Sequence, residues 1–282
     1  MRLNQPILDR AEKRAADGGS LEDALVELRR MPLDDFGLLM QSMPDERLPA
    51  LSRLLPPMAD ADTQKSWTGA AGVDLLRQSV GFIRQLETLS FRHAGRGLDG
   101  ATILDFGCGY GRLTRLLYYF TDPAGICGVD AWDRAIRLCR AARLPGRFLC
   151  SDARPERLAT STIFDVAFAF SVFTHLPPRA AGPCLTAVRR NMRPGGIFVV
   201  TIRPVEYWEF YDERRGGAVA RDMAARQARE GYAFLAHEGR GGELYGEASY
   251  DLSFFRREGW SVAGYDRTLA NPHEIAVVLK AC

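Results

Sequence analysis

The chain has 282 residues, of which 46% are hydrophobic and 26% charged, with 27 Gly, 15 Pro and 6 Cys. These are the fractions of an ordinary globular protein and they exclude a disordered, collagen-like or disulfide-scaffold chain; at roughly 150 residues per domain, one large domain with an appendage or two small domains are allowed. Thirty-seven basic against 35 acidic residues give a net charge of +2, which argues against a surface built to neutralise a nucleic-acid backbone or an anionic membrane.

No stretch approaches the roughly 18 apolar residues of a membrane span, and the first residues carry charges where a signal peptide needs an apolar run. A cytoplasmic protein without membrane contact is expected. The cysteines at 108, 127, 139, 150, 184 and 282 include no C-x-x-C pair, so they read as reduced thiols rather than zinc ligands or disulfides.

Residues 1–66 carry helical signals without strands and read as a helical appendage, a surface through which the chain would form a homodimer. Within it, LEDALVELRR places Leu21, Ala24, Leu25 and Leu28 on one face, with Ser20 and Asp23 as a capping box. Prolines at 32, 44, 49, 56 and 57 cut the following stretch into short pieces. A turn holding Trp67, Gly69 and Gly72 leads to a second helical pattern over residues 73–93.

From residue 101 strand and helix patterns alternate. ATILDFG, GICGVD, RFLCSDA, FDVAFAFS and GIFVVTI are short apolar runs typical of strands buried on both faces. GRLTRLLYYF, DRAIRLCRAAR and GPCLTAVRRNM between them are amphipathic. This alternation predicts an α/β fold with a doubly wound, largely parallel sheet. Residues 204–248 read as an irregular, aromatic-rich insertion, SYDLSFFRREG as a helix, and WSVAGYDRTL with EIAVVLKA as a terminal hairpin whose antiparallel member lies at the sheet edge.

The most informative stretch is Asp105-Phe106-Gly107-Cys108-Gly109-Tyr110-Gly111-Arg112, at a strand end that opens a helix. Glycines there let the backbone turn tightly and approach a ligand without a Cβ in the way. A second strand ends in Asp130, where a carboxylate can take both hydroxyls of a ribose. A third ends in Ser151-Asp152-Ala153, where a carboxylate and a backbone N–H can meet an adenine edge. A dinucleotide fingerprint would place a small residue where Arg112 stands, and a pyrophosphate does not favour the acid that precedes Gly107 by two positions. The pattern suits a nucleoside that carries an amino acid tail.

Residues 101–203 resemble the class I S-adenosylmethionine-dependent methyltransferases: Asp105 to Gly111 match the first motif, Asp130 the ribose acid and Asp152 the adenine acid. Phe164-Asp165-Val166 through Phe170-Ser171 match the fourth strand, Leu176-Pro177 the loop after it, and Met192-Arg193-Pro194-Gly195-Gly196 the turn before the fifth. The resemblance implies a Rossmann-like sheet of seven strands over residues 67–282, with the last strand inserted antiparallel between the fifth and sixth. It implies S-adenosyl-L-methionine as cofactor, with Gly107 and Gly109 lining its methionine part, Asp105 near its amino group, and Asp130 on the ribose. Ala131 and Trp132 flank the adenine, Asp152 and Ala153 serve its edge, and Ser171 after the fourth strand is a further cofactor-binding candidate. Arg112 is a candidate for the methionine carboxylate, and Gln64 with Trp67 for a cover over the cofactor; Trp132 reads equally as a core residue of the following helix.

The acceptor is chosen by elements outside the sheet. Ser171-Val172-Phe173-Thr174-His175-Leu176 is not the Asn/Asp-Pro-Pro-aromatic loop of amino-directed nucleic-acid methylators, and no basic, aromatic-interleaved run is present. The insertion supplies Tyr207, Trp208, Phe210, Tyr211, Tyr232, Phe234, His237, Glu238 and Tyr245, which suit stacking on a sugar or ring-bearing metabolite. The layout of Trp67-Thr68-Gly69 before the sheet and Ala236-His237-Glu238-Gly239 after it is similar to bacterial methyltransferases of surface glycans and glycosides. The expected function is methyl transfer to a hydroxyl of a glycan or small polar metabolite. The alternatives are a non-catalytic S-adenosylmethionine-binding partner and a methyltransferase acting on protein or nucleic acid. His175 is the expected general base, making the rate fall below a pH of about 6.5; His237, paired with Glu238, is the reserve. The loop after the fourth strand offers no acidic ligand set, so no metal is expected.

Overall fold

Apolar runs too short for helices become strands, and the amphipathic stretches between them become the connecting helices. The computed structural model describes residues 2–238, 243–257, 259–268 and 271–282. Its strands are β1 (Ile103–Phe106), β2 (Ile126–Asp130), β3 (Arg147–Cys150), β4 (Phe164–Ala169), β5 (Met192–Ile202), β6 (Tyr232–Ala236), β7 (Gly246–Tyr250), β8 (Trp260–Arg267) and β9 (Ile275–Ala281). Seven of them form one mixed sheet in the order β3-β2-β1-β4-β5-β9-β8, and β6 and β7 form a separate antiparallel pair. This is the expected Rossmann-like arrangement. The antiparallel strand β9 lies between β5 and β8, so β8 and not β9 forms the edge, as the family resemblance implies and the simple hairpin reading does not.

Two compact units divide the chain, residues up to Thr88 with Arg96–Cys150, and Leu89–Gly95 with Ser151–Cys282. The first holds α1 (Gln5–Ala16), α2 (Leu21–Leu28), α3 (Leu33–Ser42), α4 (Leu51–Leu54) and α5 (Ala61–Thr68); α6 (Gly72–Ala94) leads out of it. The capping box of α2 forms as expected: Ser20 Oγ accepts from the Asp23 N–H and Asp23 accepts from the Ser20 N–H. Two arginines tie these helices to the chain after β1. Arg29 donates to the carbonyls of Tyr118 and Thr121. The buried Arg115 donates to those of Tyr110, Gly111 and Pro57.

The amphipathic stretch after β1 yields only the short α7 (Thr114–Leu117), because N–H groups in and just after it bond three residues back, as Leu116 to Leu113 and Phe120 to Leu117. β2 then leads to α8 (Asp133–Ala141), whose Ile136 and Cys139 pack with Cys108, Leu144 and Phe148.

In the second unit α9 (Pro178–Arg189) connects β4 to β5, and Met192–Gly196, expected as a turn, forms the bulged start of β5. The insertion is ordered rather than irregular: α10 (Tyr207–Arg215) and α11 (Ala220–Glu230) precede the β6–β7 pair. Its aromatics form a small core of Tyr207, Trp208 and Ala233 with Phe210, Tyr211, Met223 and Leu235 around it. The fully buried Trp208 donates its indole N–H to Ser249 Oγ at 2.7 Å. The helix expected over residues 249–259 does not form. Ser249 and Tyr250 belong to β7, paired with Ala233 and Tyr232, and only a single 3-10 turn follows at Leu252–Phe255. Among the described residues no helix is long and apolar enough to cross a membrane. All six cysteines are free thiols, four of them buried.

Candidate active site

The loop after β1 turns on three glycines with positive φ, Gly107 (82°), Gly109 (56°) and Gly111 (76°), a region that other residues enter only with strain. The Gly107 and Cys108 N–H groups both donate to the Val129 carbonyl, at 2.7 and 3.1 Å. Asp130 fixes the rest: one carboxylate oxygen accepts from the Gly109 N–H at 2.8 Å and the other from the Trp132 N–H at 2.8 Å. The Ala131 N–H is a third backbone donor to this carboxylate.

Asp105 is 2% exposed and accepts from the Thr114 hydroxyl at 2.7 Å. Burial, reinforced by the charge of Asp130, pushes its carboxyl up to about 7 against the pull of the Thr114 bond. A cation brought beside it would favour the ionised form, which is the chemistry expected of an ammonium partner.

Trp132 is 53% exposed at the N-cap of α8, which excludes its reading as a core residue. It meets Trp67 edge to face at 5.4 Å, and Trp67 meets Tyr110 at 6.1 Å. A Cβ on Gly109 would lie 3.7 Å from the Trp67 ring, so Trp67 stands against the glycine loop. Gln64 instead braces α5 from within, bonding Gln41, the Ala59 carbonyl and the Gly72 N–H. Arg112 donates to Ser79 Oγ at 2.7 Å and Gln78 Oε1 at 3.1 Å. Ala131 is exposed beside Asp130.

In the second unit Asp152 and Ala153 lie exposed after β3. Ser171, after β4, has a φ of 55°, a left-handed conformation that persists in a serine only when its surroundings hold it. Here its N–H donates to Thr201 Oγ1 at 2.7 Å and its hydroxyl to Glu274 at 2.9 Å.

His175 is mostly buried, stacked on Tyr245 with ring centroids 4.8 Å apart and planes 15° from parallel. Its Nδ1 lies 2.7 Å from the Gly246 carbonyl. A carbonyl only accepts, so Nδ1 carries the proton and Nε2 keeps its lone pair. Burial, then the charge of Arg203, holds the imidazole down at about 4, below the ordinary 6.5 of the sequence expectation. The backbone locks the loop to β7: the Gly246 N–H donates to the His175 carbonyl and the Ala248 N–H to that of Thr174. The Thr174 hydroxyl is buried without a hydrogen-bond partner among the described residues.

Two residues of this cluster were not singled out by the sequence, Arg203 and Glu247. The buried Glu247 pairs with Arg203, accepts from the Tyr207 hydroxyl at 2.8 Å, and lies 3.0 Å from His237 Nε2 and 4.0 Å from His175 Nδ1. His237 therefore pairs with Glu247, where the sequence suggested its neighbour Glu238. Gly239 of the same motif lies outside the described residues. Arg203 donates to the Thr174 carbonyl at 2.9 Å and stacks over the Tyr207 ring at 4.1 Å. Only the register of β7 against the loop brings these residues together. Among the described residues no group of three or more His, Cys, Asp or Glu is placed to hold a metal ion.

Residues 103–196 match the family model of a methyltransferase domain. A segment is 33% identical over 102 residues to trans-aconitate 2-methyltransferase of Azoarcus sp. (strain BH72); it covers 36% of this chain and 39% of that enzyme, so the likeness spans well under half of either. The fold is similar to that of magnesium protoporphyrin IX methyltransferase from Synechocystis with bound SAH, with a TM-score of 0.51 at 15% identity over 78% of this chain and 94% of the other. The motif, the strand order and the family match agree on residues 103–196, which are similar to a methyltransferase domain on a Rossmann-like sheet.

Proposed function

We propose that the protein transfers a methyl group from S-adenosyl-L-methionine to a hydroxyl of a glycan or small polar metabolite, with His175 accepting the hydroxyl proton. The observation that carries this reading is the fixed tautomer of His175, protonated on Nδ1 and bare on Nε2, inside a cluster of aromatic rings.

The cofactor, when bound, supplies a methyl group already activated on a sulfonium. Asp105, Gly107 and Gly109 would hold its amino acid end, Asp130 its ribose, and Ala131, Trp132, Asp152 and Ala153 its adenine, with Ser171 as a further cofactor-binding residue. With the donor already activated, holding the acceptor oxygen about 3–3.5 Å from the methyl carbon supplies much of the catalysis. The acceptor proton passes to His175 Nε2 as the oxygen–carbon bond forms, and then leaves for solvent. A placed base typically adds about 10²–10⁴-fold.

The relative named above acts on trans-aconitate, a polycarboxylate, and a carboxylate acceptor needs no base. The buried Glu247 carboxylate and two neutral imidazoles disfavour an anion and suit a proton-donating hydroxyl. Transfer of labelled methyl from S-adenosylmethionine to paired acceptors, each alcohol matched with its carboxylate analogue, tests the reading. Label is expected in the alcohols and at least tenfold less in the carboxylates; preference for the carboxylates would overturn the acceptor assignment.

A further inference from the structure

We propose that Glu247 is the positioning residue of this site, acting through His175: its carboxylate, clamped by Arg203 and Tyr207, is the counter-charge that lets the His175 imidazole carry a proton during transfer. The inference rests on the reading of His175 as base, but it predicts an electrostatic coupling that is measurable without turnover.

His175 sits against the Gly246 carbonyl of β7, the Tyr245 ring and His237, with Arg203 from the end of β5 and Tyr207 of α10 behind Glu247. Arg203 is the cation among them, and a cation beside a buried imidazole opposes its protonation. Glu247 is paired with Arg203 and lies 4.0 Å from His175 Nδ1, while Glu274 also acts on Arg203. Glu247 cancels the Arg203 charge and adds attraction for an imidazolium at Coulombic range in a site with little water.

Glu247 is also held in place on all sides. The Tyr207 hydroxyl donates to Oε2 and His237 Nε2 approaches Oε1. Leu235 opposite it on β6 fixes its strand register. A carboxylate so bound loses little freedom when the neighbouring histidine gains a proton, so the compensation is pre-organised. His237, half exposed on the same carboxylate, gives Glu247 a second imidazole on the solvent side.

Two variants separate this role from a structural one. Glu247→Gln keeps the shape and the bonds to Tyr207 and His237 but removes the charge, and is expected to lower turnover about tenfold to a hundredfold with the KM for S-adenosylmethionine unchanged. Arg203→Met leaves the Glu247 charge unopposed. It is expected to raise the proton affinity of His175 at least tenfold, read as the midpoint of its ring C–H resonance in an NMR titration, and Arg203→Lys is expected to restore the wild-type midpoint near 4. A midpoint unmoved in Arg203→Met, or wild-type turnover in Glu247→Gln while His175→Ala is inactive, would overturn the inference alone. Full turnover in His175→Ala would remove the base assignment, while the NMR midpoints would still decide the coupling.

Discussion

Asp130→Ala is expected to weaken S-adenosylhomocysteine binding about a hundredfold or more, measured by calorimetry on protein whose folding is checked by circular dichroism. A charged acceptor's hydrogen bond contributes about 1.5–3 kcal/mol, and two lost bonds at the lower value make about 3 kcal/mol, or two decades in Kd. The loss has a second source in this chain. Asp130 also ties down the Gly109 and Trp132 N–H groups, so its removal also releases the glycine loop and Trp132. Asp152→Ala is expected to do less, because Asp152 is exposed and braces no such loop. Unchanged affinity in folded Asp130→Ala would contradict the ribose assignment.

His175→Ala is expected to lower kcat at least about a hundredfold while S-adenosylhomocysteine affinity changes little, since a base acts on the transition state and not on cofactor binding. The pH dependence carries the sharper information. The folded imidazole is held down at about 4 by burial and Arg203, so its neutral, proton-accepting form persists above that pH and is lost only as pH falls through it. The acid limb of kcat/KM is therefore expected near pH 4 rather than at the ordinary 6.5, with no loss between 5 and 7 from this group. An acid limb that persists in His175→Ala would move the base to another group, His237 being next in line, its ring more exposed and also held below the ordinary 6.5 by burial.

The geometry of the glycine loop was legible because it is written in local sequence. Strand ends and glycines at fixed spacing place Asp105, Gly107, Gly109 and Asp130 with little help from the rest of the chain. The capping box at Ser20 is likewise a contact three residues long. Arg203 and Glu247 were not legible, because 44 positions separate two side chains whose meeting depends on β7 pairing beside the loop at 174–175. The Ser249–Phe255 stretch failed for a related reason. Tyr250 and Phe254, four positions apart, mimic a helix face, while the ladder to β6 and the bond from the Tyr250 N–H to the Arg203 carbonyl hold its start extended. The insertion looked irregular since its aromatics follow no single period; they belong to two helices and a strand pair that share one small core.

The central claim, that this domain binds the S-adenosylmethionine nucleoside, is tested most directly by thermal unfolding with S-adenosylhomocysteine. A ligand that binds only the folded chain at a hundred times its Kd stabilises it by about 2.7 kcal/mol, so Tm is expected to rise by several degrees in a saturable manner. The rise is expected to be largely lost in Asp130→Ala. An unchanged Tm of the wild-type chain at millimolar S-adenosylhomocysteine, with calorimetry showing no heat of binding, would contradict the account.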